Sequence, residues 1–343
     1  MRNSQLGRLM AVACVVLVGS TLAACGSSAS GSTTLTLYNG QHEQTTNELV
    51  AAFEKQTGIT VKVRNGDEDV LGNQILQEGS GSPADLFYAE NSPVLEKLQE
   101  NGALAPVDPS TLNRVPSKFN SPKGDWVGVS ARVNVVVYNT NQLKSDQVPT
   151  SIMDLANPKW KGKLALAQGE TDFQPIVTSI VTTYGKQAAL TWLKAIKANA
   201  GNNIYPNNES LVDQINKGRA EIGIINSYYW YRLQDQVGSA GMHSAISYFA
   251  PGDAGYVVDV SGAAVLNSSK NKAAAQKFLA FMVSSKGQEI IAHDDSWEYP
   301  LGSGVTTARQ QKPFSQLQPA PLTIAQLGDG ATAVALLQEV QLA

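Results

Sequence analysis

Hydrophobic and polar positions follow two periods along this chain, and the switches between them mark out its elements. Leu35 and Leu37 alternate with Thr34, Thr36 and Tyr38, the period of two of a half-buried strand, and Asn39-Gly40 closes the run. Thr45 and Glu48 then stand at capping-box spacing before Leu49, Ala52 and Phe53, which share one face of a helix. Gly58 occupies the position where a left-handed residue ends such a helix. Ile59, Val61 and Val63 predict the next strand, residues 71–77 a second helix, and Ala84-Asp85-Leu86-Phe87-Tyr88 a buried strand. Strand alternating with helix is the grammar of a parallel sheet covered by helices.

The grammar restarts beyond residue 160. A strand over 163–167 precedes a helix over 188–200 that carries Leu190, Trp192 and Ile196. Leu211, Val212 and Ile215 mark a further helix closed by Lys217-Gly218, and Ile222-Gly223-Ile224-Ile225 reads as a buried strand. Between the two blocks lies a β-branched run over 133–138. A second apolar run, Tyr256-Val257-Val258-Asp259-Val260, leads into Ser261-Gly262-Ala263-Ala264-Val265. Two such segments flanking an inserted block predict two lobes between which the chain crosses twice. The N-terminal lobe then takes 33–132 plus 260–310, and the C-terminal lobe 133–259 plus 311–343. Roughly 310 residues are enough for a core in each.

The first 24 residues stand outside this grammar. Arg2 and Arg8 precede an uncharged apolar stretch over 9–22, and Leu22-Ala23-Ala24-Cys25 sets small residues directly before a cysteine. The stretch falls short of the roughly 20 residues of a membrane span. The pattern resembles a bacterial lipobox, which implies a signal peptide over 1–24, cleavage before Cys25 and a lipid on that cysteine. Residues 26–32 are all Gly, Ser or Ala, a flexible tether of roughly 15 Å. Cys14 lies in the signal, so the mature chain keeps one cysteine and that one carries lipid. A disulfide within the monomer, a thiolate metal site and a thiol nucleophile are thereby excluded. Loss of Arg2 and Arg8 takes the formal charge from −3 to −5. A mildly acidic chain lacks the basic footprint of nucleic-acid binding.

Candidate chemistry gathers at strand ends, where ligands bind in open parallel sheets. His42 follows the first strand, Glu90 the 84–88 strand, and Gln168-Gly169-Glu170-Thr171-Asp172 the 163–167 strand. Asn208 stands just before the helix at Leu211. Asn226-Ser227-Tyr228-Tyr229-Trp230-Tyr231 follows the 222–225 strand. Adjacent side chains of a strand face apart, so Tyr228 and Tyr229 can meet at one point only if the strand has ended and the chain is turning. On its own such a cluster more often packs a lobe. One imidazole, one carboxylate and two phenolates together carry a charge of about −3, which balances a trivalent cation, and oxygen donors suit a hard ion. A phenol binds as phenolate only where the metal's charge drives off its proton. Zinc is disfavoured by the want of usable cysteine and by only three histidines, His42, His243 and His293. Calcium would want carboxylates and carbonyls grouped in one loop. Ferric iron matches the set.

Six stretches in order carry a resemblance: Leu37-Tyr38-Asn39-Gly40-Gln41-His42, Pro83-Ala84-Asp85-Leu86-Phe87-Tyr88-Ala89-Glu90, Pro158-Lys159-Trp160-Lys161-Gly162-Lys163, Asn226-Ser227-Tyr228-Tyr229-Trp230-Tyr231, Ser261-Gly262-Ala263-Ala264-Val265-Leu266 and Glu298-Tyr299-Pro300-Leu301. Together they resemble the ferric-ion-binding proteins of bacterial ABC iron importers, from Thr34 to the C-terminus. The resemblance implies an α/β, two-lobed periplasmic-binding-protein fold of transferrin-like type II. Its mixed, mostly parallel sheets carry covering helices and a hinge of two crossover strands. It implies Fe3+ held between the lobes by His42, Glu90, Tyr228 and Tyr229. An exogenous anion such as phosphate or carbonate, or water, would complete the shell beside Asn208 and Asn226. Delivery to an ABC permease and its ATPase follows, by a lipid-anchored monomer at the extracytoplasmic face of the cell envelope.

One loop departs from the family pattern. Where small residues are expected beside the anion, this chain has Glu170-Thr171-Asp172, and carboxylates repel an anion in a desolvated cleft. Three outcomes are open: the carboxylates face solvent, water or a less charged anion is used, or one carboxylate enters the metal shell. Water or a small anion ranks first, because a further protein anion would overcharge the site. Arg132, ahead of the first crossover, either pairs with cleft carboxylates or is solvated. Asp67-Glu68-Asp69 reads as a solvated turn that lacks the later ligands of a calcium loop, and Trp230 and Tyr231 as packing residues. The sequence holds no Gly-x-Ser-x-Gly, His-Glu-x-x-His, phosphate loop or Gly-x-Gly-x-x-Gly, so no enzymatic activity is expected. The alternatives are a binding protein for a polyamine, phosphonate or thiamine with the tyrosines as an aromatic box, and a surface adhesion or scaffold protein.

Overall fold

The alternation at the start of the mature chain becomes the centre of a sheet. The computed structural model describes residues 33–305, 307 and 310–342; the expected signal peptide, Cys25 and the tether lie outside the described residues. Strand β1 spans Thr34–Gly40 and turns Leu35 and Leu37 into the core. It pairs in parallel with β2 (Thr60–Asn65) on one side and β3 (Leu86–Ala89) on the other, with the helices Glu43–Thr57 and Glu68–Glu78 crossing between them. Gly58 ends the first helix at φ 71°, its N–H donating to the Glu54 carbonyl. The capping box does not form. The helix starts at Glu43 with His42 as its N-cap, and the Thr45 hydroxyl donates instead to the buried Asp294 carboxylate.

Seven further strands follow among the described residues: β4 (Leu104–Ala105), β5 (Val127–Asn139), β6 (Leu164–Ala165), β7 (Ile222–Asn226), β8 (Ser244–Ser247), β9 (Val258–Leu266) and β10 (Tyr299–Pro300). The main path runs β2-β1-β3-β9-β5-β7-β6, with β4 beside β9 and both β8 and β10 beside β5. The 163–167 strand is shorter than its apolar run, extended only by a bridge from Leu166 to Ile204.

Mostly parallel pairing holds only at the flanks, β1 with β2 and β3, and β6 with β7. The middle is antiparallel, because both crossover runs lie within long strands that return through the sheet. β5 is buried along its whole length; its first half pairs with β9 and β10, its second with β7 and β8. The result is a two-lobed α/β molecule, one lobe on β1–β3 and the other on β6–β7, with β5 and β9 as the hinge. The carboxyl ends of β1, β3 and β7 face the junction, and the helices Ser92–Glu100, Gln174–Tyr184, Asn208–Asn216 and Ser227–Val237 start there.

Candidate metal centre

Each expected metal ligand sits where a strand gives way to a helix. His42 closes the turn after β1. Glu90 lies between β3 and Asn91, the N-cap of Ser92–Glu100. β7 ends at Asn226 in extended backbone and the helix begins at Ser227, which puts Tyr228 and Tyr229 on a first helical turn. That start answers how neighbouring phenols converge: their ring centroids are 4.1 Å apart. The Tyr228 hydroxyl donates to Glu90 Oε1 at 2.7 Å. The His42 ring meets Tyr228 edge-on at 5.1 Å, and its Nε2 lies 3.9 Å from Glu90 Oε1. That nitrogen is buried without a hydrogen-bond partner, which is costly unless a ligand fills the place. The structure thus brings His42, Glu90, Tyr228 and Tyr229 together.

The acidic loop turns inward. Residues Thr171–Phe173 form a short 3-10 turn that buries Asp172. Asp172 Oδ2 accepts from the Tyr229 hydroxyl at 3.1 Å, the Tyr228 hydroxyl at 3.4 Å and Asn208 Nδ2 at 3.3 Å. Glu170 stays at the half-exposed rim, its Oε2 accepting from the Tyr229 hydroxyl at 3.5 Å. Thr171 accepts from Asn91 Nδ2 at 3.1 Å, which ties the loop to the opposite lobe. The outcome in which both carboxylates face solvent is therefore corrected. Asn226 accepts from Asn134 Nδ2 at 2.9 Å rather than facing an open anion pocket. The void that Asn208 and Asn226 line together with Asn134 and Asp172 is about 10 Å³, the lower limit for a single water.

Arg132 is not solvated. It is 1% exposed, with Nε 3.5 Å from Asp172 Oδ1, Nη1 3.2 Å from Glu298 Oε1 and Nη2 3.9 Å from Asp259 Oδ2. Three buried carboxylates from three segments meet this one guanidinium, the pairing a buried arginine requires. Sequence reasoning assigned no role to Glu298 or Asp259. Glu298 accepts from Gln41 Nε2 at 3.2 Å, from Ser261 Oγ at 3.2 Å and from the Ser130 hydroxyl, and lies 3.9 Å from His42 Nε2. The signal for Asp259 was a lone acid inside an apolar run. The Asp67-Glu68-Asp69 reading as a solvated turn is also corrected. Asp67 caps the helix Glu68–Glu78, accepting from the Val70 N–H. Glu68 is buried and accepts from both the N–H and the Nδ2 of Asn91, at 2.8 and 2.7 Å.

Burial sets the protonation of these groups. Desolvation, then the charges of Asp172 and Glu90, push both tyrosines well above the usual 10. Desolvation and Asp172 raise Glu90 to about 8 against the pull of Arg132. Glu170 rises to about 8 for the same two reasons. Burial lowers His42 from 6.5, which keeps its imidazole neutral and able to ligate. The cluster therefore holds exchangeable protons where a cation of high charge would place itself.

A sheet divided by two crossover strands, with convergent oxygen donors and one open imidazole at the junction, defines a two-lobed solute-binding protein. Residues 81–324 match the family described as bacterial extracellular solute-binding protein. The Fe(3+)-binding periplasmic protein of Serratia marcescens is 37% identical over 328 residues, 95% of each chain. The major ferric iron-binding protein of Neisseria meningitidis is 35% identical, covering 89% of this chain and 92% of its own. Among solved structures, iron-bound HitA from Pseudomonas aeruginosa superposes with a TM-score of 0.86 at 40% identity, covering 90% of this chain and 99% of that one. The Trichodesmium protein IdiA (FutA), in complex with iron and citrate, gives 0.79 at 30% identity, covering 90% and 100%. The chain belongs to the bacterial extracellular solute-binding proteins, and its relatives in that family include periplasmic ferric-iron-binding proteins.

Proposed function

We propose that this chain captures ferric iron outside the cytoplasmic membrane and hands it to an ABC permease driven by its ATPase. The observation that carries the reading is the buried His42 Nε2, unpartnered and facing a carboxylate that also receives a phenol. His42, Glu90, Tyr228 and Tyr229 supply the ligands. Asp172 takes the place of an exogenous anion, since it occupies the donors, Asn208 and both phenols, that would otherwise hold one. Arg132 lies against Asp172 and offsets part of that further charge, its cation being shared with Glu298 and Asp259. Asn208 then orients Asp172, and Asn226 with Asn134 closes the wall behind it. The lobes divide as 33–132 plus 260–310 and 133–259 plus 311–343. The chain acts as a monomer held at the extracytoplasmic face by lipid on Cys25. It turns nothing over.

An aromatic box for a small organic or anionic solute is not favoured. Tyr228 is 0% and Tyr229 4% exposed, their rings are packed on each other and Tyr228 also meets His42 edge-on, so neither ring is presented to a stacking solute. Titrating iron-free protein with ferric iron should raise a visible phenolate-to-iron absorption band, and Tyr228→Phe should weaken both that band and the affinity. A colourless titration would sink the reading.

A further inference from the structure

Beyond the ligands, one residue on the rim joins the lobes in a way that a packing role does not explain. Trp297 has φ 58°, in the left-handed region that a bulky side chain rarely adopts. Its indole stacks on Tyr231, centroids 4.7 Å apart and planes 13° from parallel, and Nε1 donates to Asp235 Oδ2 at 2.7 Å. Tyr231 and Asp235 are four residues apart and so share one face of the helix Ser227–Val237, the same helix whose first turn carries Tyr228 and Tyr229. Trp297 itself belongs to the other lobe. Its segment is held there by Thr45 donating to Asp294 and by β10 pairing with the first half of β5. The next residue is Glu298, which faces His42 and Arg132. One short segment thus sends a carboxylate into the site and an indole onto the helix that carries the tyrosines.

We propose that Trp297 is a positioning residue that latches the tyrosine-bearing helix against the opposite lobe and so sets how long bound iron is retained. The inference rests on the reading of the junction as a ferric site. Strained backbone survives where surrounding contacts hold it, and here a ring stack and a hydrogen bond from across the junction are among those contacts. When the lobes part, the stack and the hydrogen bond are lost together, so the latch opens as a unit. The contact is half-exposed, so water competes for the hydrogen bond and the latch stays reversible.

The test is the rate at which iron-loaded protein loses its visible band to excess EDTA. Trp297→Gly should lose iron about tenfold faster, since both the stack and the hydrogen bond go. Trp297→Phe keeps a ring on Tyr231 and should lie between. Asp235→Ala, a change on an exposed helix position, should speed release about threefold. Asp235→Asn retains an acceptor and should restore the original rate. In every variant the band should keep its position, because no ligand has changed. Equal release rates across the series, with the band present throughout, overturn the latch alone. A band that shifts in Trp297→Gly overturns it too, by placing Trp297 in the shape of the ligand shell. No band in the unaltered protein removes the ferric reading and the latch with it.

Discussion

Asp172 accepts from two phenols and an amide on one oxygen, while the Arg132 guanidinium lies 3.5 Å from the other. Removing that carboxylate should leave a cation-lined gap of anion size beside the tyrosines. Asp172→Ala is therefore expected to make ferric binding depend on phosphate, while the unaltered protein binds equally well with and without it. Paired titrations in the two buffers check this, and phosphate dependence in the unaltered protein would contradict the assignment. At this scale the sequence was readable in part. His42, Glu90 and the two tyrosines sit at strand ends, so topology points to them. Asp172 was visible as an anomaly, but its direction was not, because its cation is forty positions away and the pairing is tertiary. Glu298 and Glu68 show why the rest escaped: no local pattern separates a buried carboxylate from a solvated one. Gln41, which satisfies Glu298, lies 257 residues from it.

At the scale of elements, the turn after β1 shows how tightly strand and helix are fitted around the site. A Cβ placed on Gly40 would come within 2.5 Å of Glu68 Cβ and 2.8 Å of its Cα. Backbone on the far side cannot simply swing away. Gly40→Ala should destabilise the protein by about 1–3 kcal/mol through overpacking and displace Glu68 from Asn91, measured as a lower denaturant midpoint. An unchanged midpoint would mean the turn has slack that the geometry denies. β1, the Gly58 stop and the central helices are legible because period and punctuation agree there. The start of Ser227–Val237 is not, since Tyr-Tyr-Trp-Tyr is the composition of a strand. The helix begins where the pairing of β7 with β5 ends, at Asn226 opposite Asn134, a fact of the sheet rather than of the string.

For the whole molecule, the buried acids make stability and iron binding respond to pH in opposite senses. Glu90 and Glu170 titrate at about 8 in the folded, iron-free protein against 4.5 ordinarily. Their relative stabilisation is present below 4.5 and is lost as pH rises through 8. The lowered His42 acts the other way, but only below its ordinary 6.5. Iron-free protein should therefore melt at a lower temperature at about pH 8.5 than at about pH 6.5, as thermal unfolding in matched salt would report. Ferric binding should instead strengthen with pH, because the tyrosines and Glu90 must shed protons to ligate. Two lobes were legible from the paired crossover runs. The antiparallel middle was not, since strand direction leaves no mark in local sequence.

β5 has one property whose mechanical meaning lies outside chemistry. It is thirteen residues long, buried throughout, and hydrogen-bonded into both lobes, so no slack linker separates them at that crossing. Any opening must be carried by a change of twist along β5 and β9, and strands resist twisting away from their preferred hand. The joint is therefore a torsion bar and not a swinging gate. It stores a restoring couple when the lobes part, and gives the motion a single axis along which closing retraces opening.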